Sequence, residues 1–294
     1  MEHRALDDHD HPIEDHDRGL AFDLSRLSRR RSFLVLGGAG LAGLAACAPD
    51  ESKATTSTTT ASASTTTSAG ATTTTAAGAT TTTAAGSCTV IPAETGGPYP
   101  GDGSNGPNVL NQSGVVRNDI RSSFGSASGT AAGVPLTINL KLLSVSAGCT
   151  PLVGAAVYLW HCDREGRYSL YSNGVTGENY LRGVQVSDAN GDLSFTSIFP
   201  GCYSGRWPHI HFEVWASASG AAAGTGKLRT SQLALPKDEC DAVYATTGYS
   251  QSVGNLAQIS LATDNVFSDG ASLQTPVVSG STAAGYTASL TVPV

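Results

Sequence analysis

Past residue 47 this chain has no cluster of basic residues, and the whole sequence carries 17 lysines and arginines against 24 acids, a formal net charge of −7. That balance leaves no electrostatic footprint for nucleic acid, so partners of that class are excluded. Long apolar runs are missing as well. The longest, a weakly apolar stretch from Phe33 to Ala46, is too short at about 1.5 Å per helical residue to cross a hydrocarbon core about 30 Å thick. Cysteine spacings match no zinc pattern, and no helical periodicity is sustained beyond two or three turns. Histidine is scarce too: there are seven, and His3, His9, His11 and His16 fall in the first 27 residues, within "HRALDDHDHPIEDHD".

The apolar stretch follows Arg30, Arg31, Ser32, Phe33 and Leu34, the order of a bacterial twin-arginine export signal. It ends in Leu44-Ala45-Ala46-Cys47, which resembles a lipobox whose cysteine becomes lipidated. Residues 1–47 are therefore expected to be a signal peptide with a lipobox. The predicted localisation is the bacterial cell envelope, either lipid-anchored to the membrane through Cys47 or extracellular. The histidine-rich tract would be lost on cleavage, leaving His161, His209 and His211. Residues 48–87 are dominated by Thr, Ala, Ser and Gly and repeat "GATTTTAAGATTTTAAG". With almost no large apolar side chain to bury, they cannot offset the entropy of ordering and are expected to form a disordered linker. One globular domain then spans 88–294. Five cysteines remain beyond Cys47, an odd number, so at least one is free or pairs outside the chain. Cys88 with Cys149 is the first pairing expected, and Cys202 with Cys240 a weaker second.

From residue 88 the pattern has period two. In "VPLTINLKLL", Leu136, Ile138, Leu140 and Leu142 alternate with Thr137, Asn139 and Lys141; "YTASLTVPV" does the same. "GAAVYLW", "GDLSFTSI", "LRTSQLAL" and "NLAQISLA" are read as further strands between Gly-rich turns. The predicted fold is all-β, a sandwich of mostly antiparallel strands with long loops. In "RWPHIHFEVW" strand alternation turns Ile210, Phe212 and Val214 to the core and His209 and His211 together to the other face. Two imidazoles so placed fit a metal, though they do not complete a site. Glu213 shares their face and would make a two-histidine, one-carboxylate set. Tyr203 and Tyr168 are the other local donors. A phenol with a pKa near 10 ligates only where a strongly acidic cation removes its proton, which points to Fe(III) and away from zinc.

Four fragments in register resemble the intradiol ring-cleavage dioxygenases, from about Cys88 to Asp241. They are "ETGGPYP", "PLVGAAVYLWHCDREGRYS", "LRGVQVSDANGDLSFTSIFPGCYSGRWPHIHFEV" and "LRTSQLALP". The resemblance implies a non-haem Fe(III) cofactor held by Tyr168, Tyr203, His209 and His211, with Tyr203 as the ligand that leaves when substrate binds. It places the active-site arginine at Arg206 and the glutamine at Gln232. Its substrates would be a catechol and O2, its product a cis,cis-muconate-type diacid. Gly96, Ala234 and Cys202 depart from residues common in the family, which bears on pocket shape. The helical dimerisation region of catechol-type members has no counterpart here, and oligomerisation is left open. His161 is read as structural or as a support behind the ligands, and not as a ligand. The competing reading is a non-catalytic surface β-sandwich that shares the fold; a zinc hydrolase would want a carboxylate base instead of two phenols.

Overall fold

A computed structural model describes residues 88–294. The expectations for residues 1–87 (signal peptide, lipobox and linker) lie outside the described residues.

The alternating segment from residue 134 becomes β1 (Pro135–Ser144), in which Leu136, Ile138, Leu140 and Leu142 are each at most 1% exposed. Burying each such side chain contributes roughly 1.5–3 kcal/mol; an aspartate at Ile138 would put a charge in the middle of that row. β1 pairs antiparallel with β5 (Asp192–Ile198) and parallel with β9 (Gly285–Pro293). β8 (Val277–Ser281) adds to β9, and the short β2 (Thr150–Pro151) pairs with the end of β1. A second sheet runs β4 (Arg182–Val186), β3 (Ala156–Trp160), β6 (His209–Trp215), β7 (Lys227–Ala234), with every pair antiparallel.

The inward faces meet in one apolar core. Leu136, Ile138, Leu140, Phe195 and Val292 from the first sheet join Val157, Leu159, Ile210, Phe212, Val214 and Leu233 from the second. The expected β-sandwich is the observed architecture. What alternation alone does not show is the other side of the second sheet. There Ala156, Tyr158, Trp160 and Trp215 pack with Tyr99, Val109, Leu110, Val115, Cys162 and Tyr168 from long loops. All seven residues of β6 are consequently buried, and the histidine face lies inside the protein.

Three short helices follow β6: α1 (Ala218–Ala223), α2 (Lys237–Tyr244) and α3 (Ser250–Leu256). They correct one expected strand. "NLAQISLA" ends α3 at Leu256 and then turns, with Ile259 and Leu261 packed on the core from outside any strand. Cys88 and Cys149 form a disulfide, as expected. Cys202 and Cys240 do not pair; both are free and buried, as is Cys162. Among the described residues no helix is long and apolar enough to cross a membrane.

Candidate active site

The site is built on the loop-covered face of the second sheet. Alternation along β6 puts His209 and His211 on that face, and antiparallel register sets His211 opposite Trp160 on β3 and Gln232 on β7. Trp160 stacks on the His211 ring, 4.9 Å between centroids and 5° between planes. His209 directs Nδ1 at the Trp207 carbonyl, 2.5 Å away. Only a protonated Nδ1 can donate there, so the lone pair is left on Nε2, which faces the loops.

Two loops bring the tyrosines. Tyr168 lies between β3 and β4, its N–H donating to Ser172 Oγ (2.9 Å) and its ring against Tyr99 (4.9 Å between centroids). It is 1% exposed. Tyr203, after β5, is only partly buried and meets Tyr168 edge-on. Gly166, at φ 83°, lets that loop close over Tyr203, since a Cβ there would stand 3.1 Å from Tyr203 Cβ.

Four atoms converge. His209 Nε2 lies 3.0 Å from His211 Nε2, 3.2 Å from Tyr203 Oη and 3.4 Å from Tyr168 Oη. Burial drives the pKa of both histidines well below the usual imidazole value and holds that of Tyr168 well above the usual phenol value. As it stands the site favours neutral side chains. His211 Nδ1 is buried without a hydrogen-bond partner, so no hydrogen bond outside the cluster holds that ring. Neutral lone pairs this close repel unless a proton or a cation lies between them. Two imidazole nitrogens and two phenol oxygens so spaced fit a small cation of high charge, with phenolates as its anionic donors.

Glu213 does not join them. Its Oε1 is taken by Lys227, beside Asp102, so the two-histidine, one-carboxylate alternative has no geometric support. Among the described residues no group of three or more His, Cys, Asp and Glu side chains could hold a metal ion. His161 stands apart, Nδ1 at 2.8 Å from the Cys162 carbonyl and Nε2 at 2.7 Å from Ser197 Oγ. The structure thus gives it the structural part expected.

Arg206 and Gln232 meet beside the cluster. Arg206 Nη2 donates to Gln232 Oε1 (2.8 Å), and Gln232 Nε2 donates to the Thr95 carbonyl (2.9 Å). The "ETGGPYP" segment thereby closes one wall. Gly97, at φ 67°, comes close enough that a Cβ would meet His211 Cε1 at 3.2 Å. Sequence reasoning missed Asp264, which is fully buried and accepts from Arg206 Nε at 3.0 Å. "LATDNVFSDG" carries no signal for it: Asp264 and Asp269, in a turn-rich loop, both read as solvated.

Parts of the chain are similar to known proteins. Residues 105–249 match a family model described as a dioxygenase. A chlorocatechol 1,2-dioxygenase from Rhodococcus opacus is 30% identical over an 86-residue alignment that covers 23% of this chain and 34% of that relative. The chain therefore spans about a third of the length of that curated relative. An intradiol ring-cleavage dioxygenase structure from Tetranychus urticae superposes with a TM-score of 0.56 at 22% identity, covering 70% of this chain and 94% of that one. At that identity the likeness establishes the fold alone.

Proposed function

We propose, for a chain that matches a dioxygenase family model over residues 105–249 and shares the fold of an intradiol ring-cleavage dioxygenase, a specific activity. It is a non-haem Fe(III) dioxygenase that opens a catechol-type diol between its hydroxyl-bearing carbons with O2, giving a cis,cis-muconate-type diacid. One observation carries the reading: the convergence of Tyr168, Tyr203, His209 and His211 at 3.0–3.4 Å around His209 Nε2. A display module has no use for four donors aimed at one point.

Those four side chains would hold the iron, which would supply Lewis acidity and a template for the chelating diol. The rest falls to the protein. Tyr203 is the more accessible of the two phenols, so it would be the one to give way to substrate and take a catechol proton on its Oη. Tyr168, packed on Tyr99, stays. Of the catechol's two protons Tyr203 would keep one and the other would leave as water with a hydroxide, so the two charges of the ring would replace two others and leave no net charge in a dry pocket. Arg206 faces the developing negative charge as a fixed cation, and Gln232 orients the ring by hydrogen bonding. Trp160 and the 95–100 loop keep water from one side.

Export by the twin-arginine route and attachment through Cys47 belong to the same proposal, supported by "SRRRSFL" and "LAAC". Both would set the reaction outside the cytoplasm.

Oxygen uptake across a panel of substituted catechols tests the activity. The expected preparation is reddish from tyrosinate charge transfer and consumes one O2 per diol opened. An iron-replete, colourless preparation that consumes none would leave only the sandwich. Tyr203→Phe should retain colour from Tyr168 yet lose roughly 10²-fold or more in kcat, the usual cost of a missing acid–base group; unchanged turnover would refute its role.

A further inference from the structure

We propose that Asp264 is a positioning residue for ring cleavage: it locks the Arg206 guanidinium, and through it Gln232, so that Nη1 is left for the substrate. The inference rests on the function proposed above. It adds a residue outside the matched segment 105–249.

The geometry is that of a two-sided clamp. Asp264 Oδ2 accepts from Arg206 Nε at 3.0 Å and from the Trp207 backbone N–H at 2.7 Å. Oδ1 accepts from the Val266 and Phe267 N–H groups at 2.8 and 3.1 Å, and from Arg206 Nη2 at 3.4 Å. Three backbone amides therefore fix the carboxylate before it fixes the arginine. The pair is desolvated, with side chains 5% and 0% exposed. An ion pair at that depth depends on such additional hydrogen bonds.

The consequence falls on the substrate side. Nε and Nη2 are spent on Asp264 and Gln232, and the Arg206 guanidinium carbon also lies 6.0 Å from the Phe267 ring centroid. Among the described residues no side chain or carbonyl engages Nη1. A planar guanidinium held at two of its nitrogens has no rotational freedom, so Nη1 points one way. That suits preorganised stabilisation of charge that develops only during reaction.

Asp264→Asn is the informative change. It keeps the shape but converts one acceptor into an NH2 group, and in either amide orientation that group faces N–H donors. If Asp264 acts through Arg206, kcat should fall about 10²-fold, as when an oriented donor is lost, with KM, iron content and the visible band unchanged. In an Arg206→Gln background the same change should cost less than about threefold more, because one unit fails only once. Full additivity of the two, or undiminished kcat, overturns the proposal. A second reading needs neither iron nor activity: in the metal-free wild type the Arg206 Nε–H should give an NMR signal protected from exchange at least tenfold relative to exposed arginines. Unprotected exchange in the folded wild type overturns it even if Asp264→Asn does not fold. Should the wild type open no catechol, the activity assignment falls and the exchange measurement still decides the clamp.

Discussion

Replacing Gly97 by alanine asks whether the loop ahead of the sandwich holds His211 in place. Gly97 sits at φ 67°, and an added Cβ would stand 3.2 Å from His211 Cε1 and 3.6 Å from Nε2. Left-handed backbone costs a residue with a Cβ about 1–2 kcal/mol. For a domain of this size that lowers Tm by roughly 2–8 °C, at about 2–4 °C per kcal/mol. The contact adds to this: the ring must yield by a few tenths of an ångström, and one of its faces is already filled by Trp160. Gly96 supplies the control. Its φ is ordinary, and its Cβ would meet nothing nearer than Pro100, Thr230 and Trp160 atoms at 4.0 Å. Alanine there should stabilise by about 0.4–1 kcal/mol, through the unfolded chain. Thermal unfolding, iron per chain and the visible band, measured on both, separate the two. Gly97→Ala should lose stability and metal content, while Gly96→Ala behaves as wild type or better. A Gly97→Ala protein with wild-type Tm and full iron, or two variants indistinguishable from each other, refutes the reasoning.

Two further predictions concern pH. Burial pushes the His161 pKa down to about 4 from 6.5, so the unfolded chain takes that proton first and stability drains as pH falls from 6.5 through 4. The loss approaches about 3 kcal/mol; denaturant midpoints of His161→Asn against wild type should show a flatter acid limb, and equal slopes would sink the attribution. Glu94 has the opposite sign: burial, chiefly, lifts it from 4.5 to about 7, so its contribution is intact below 4.5 and lost as pH rises through 7. Solvent screening at this half-exposed site limits the effect to about 1 kcal/mol, and Glu94→Gln should abolish the decline between pH 5 and 8.

The fold was legible where one face of a strand is apolar and the other polar. β1 and β9 are of that kind, and their registers follow the alternation in "LTINLKLL" and "YTASLTV". β3 and β6 were legible only in half. "AVYLW" and "HIHFEVW" are buried on both faces, so alternation gave the orientation of the histidines but no hint that loops 99–124 and 162–180 would roof them. "NLAQISLA" failed for a related reason: a few apolar residues in a short segment fit a strand and a helix end equally, and only the core they meet decides. The cysteines divide the same way. Cys88 and Cys149 pair across 61 residues, whereas Cys202 and Cys240 end as separate buried thiols.

Within the site, the donors could be read because they are chemically unusual together. Two imidazoles at i and i+2 with phenols nearby have few structural uses, and strand geometry alone aims the imidazoles one way. The groups that set those donors are ordinary residues, and nothing in their spacing marks them. Trp160 reads as one more core aromatic until it is found flat on His211. Gly97 reads as loop until its missing Cβ is seen to make room for the same ring. Asp264 comes 58 residues after Arg206, in a turn whose sequence would suit any surface. Each acts across a contact that exists only once the chain has closed, and periodicity reports on one element at a time. Reactive atoms are therefore the part of such a site a sequence discloses. Their precision, held here by a ring, an absent methyl and a buried carboxylate, has to be taken from the fold.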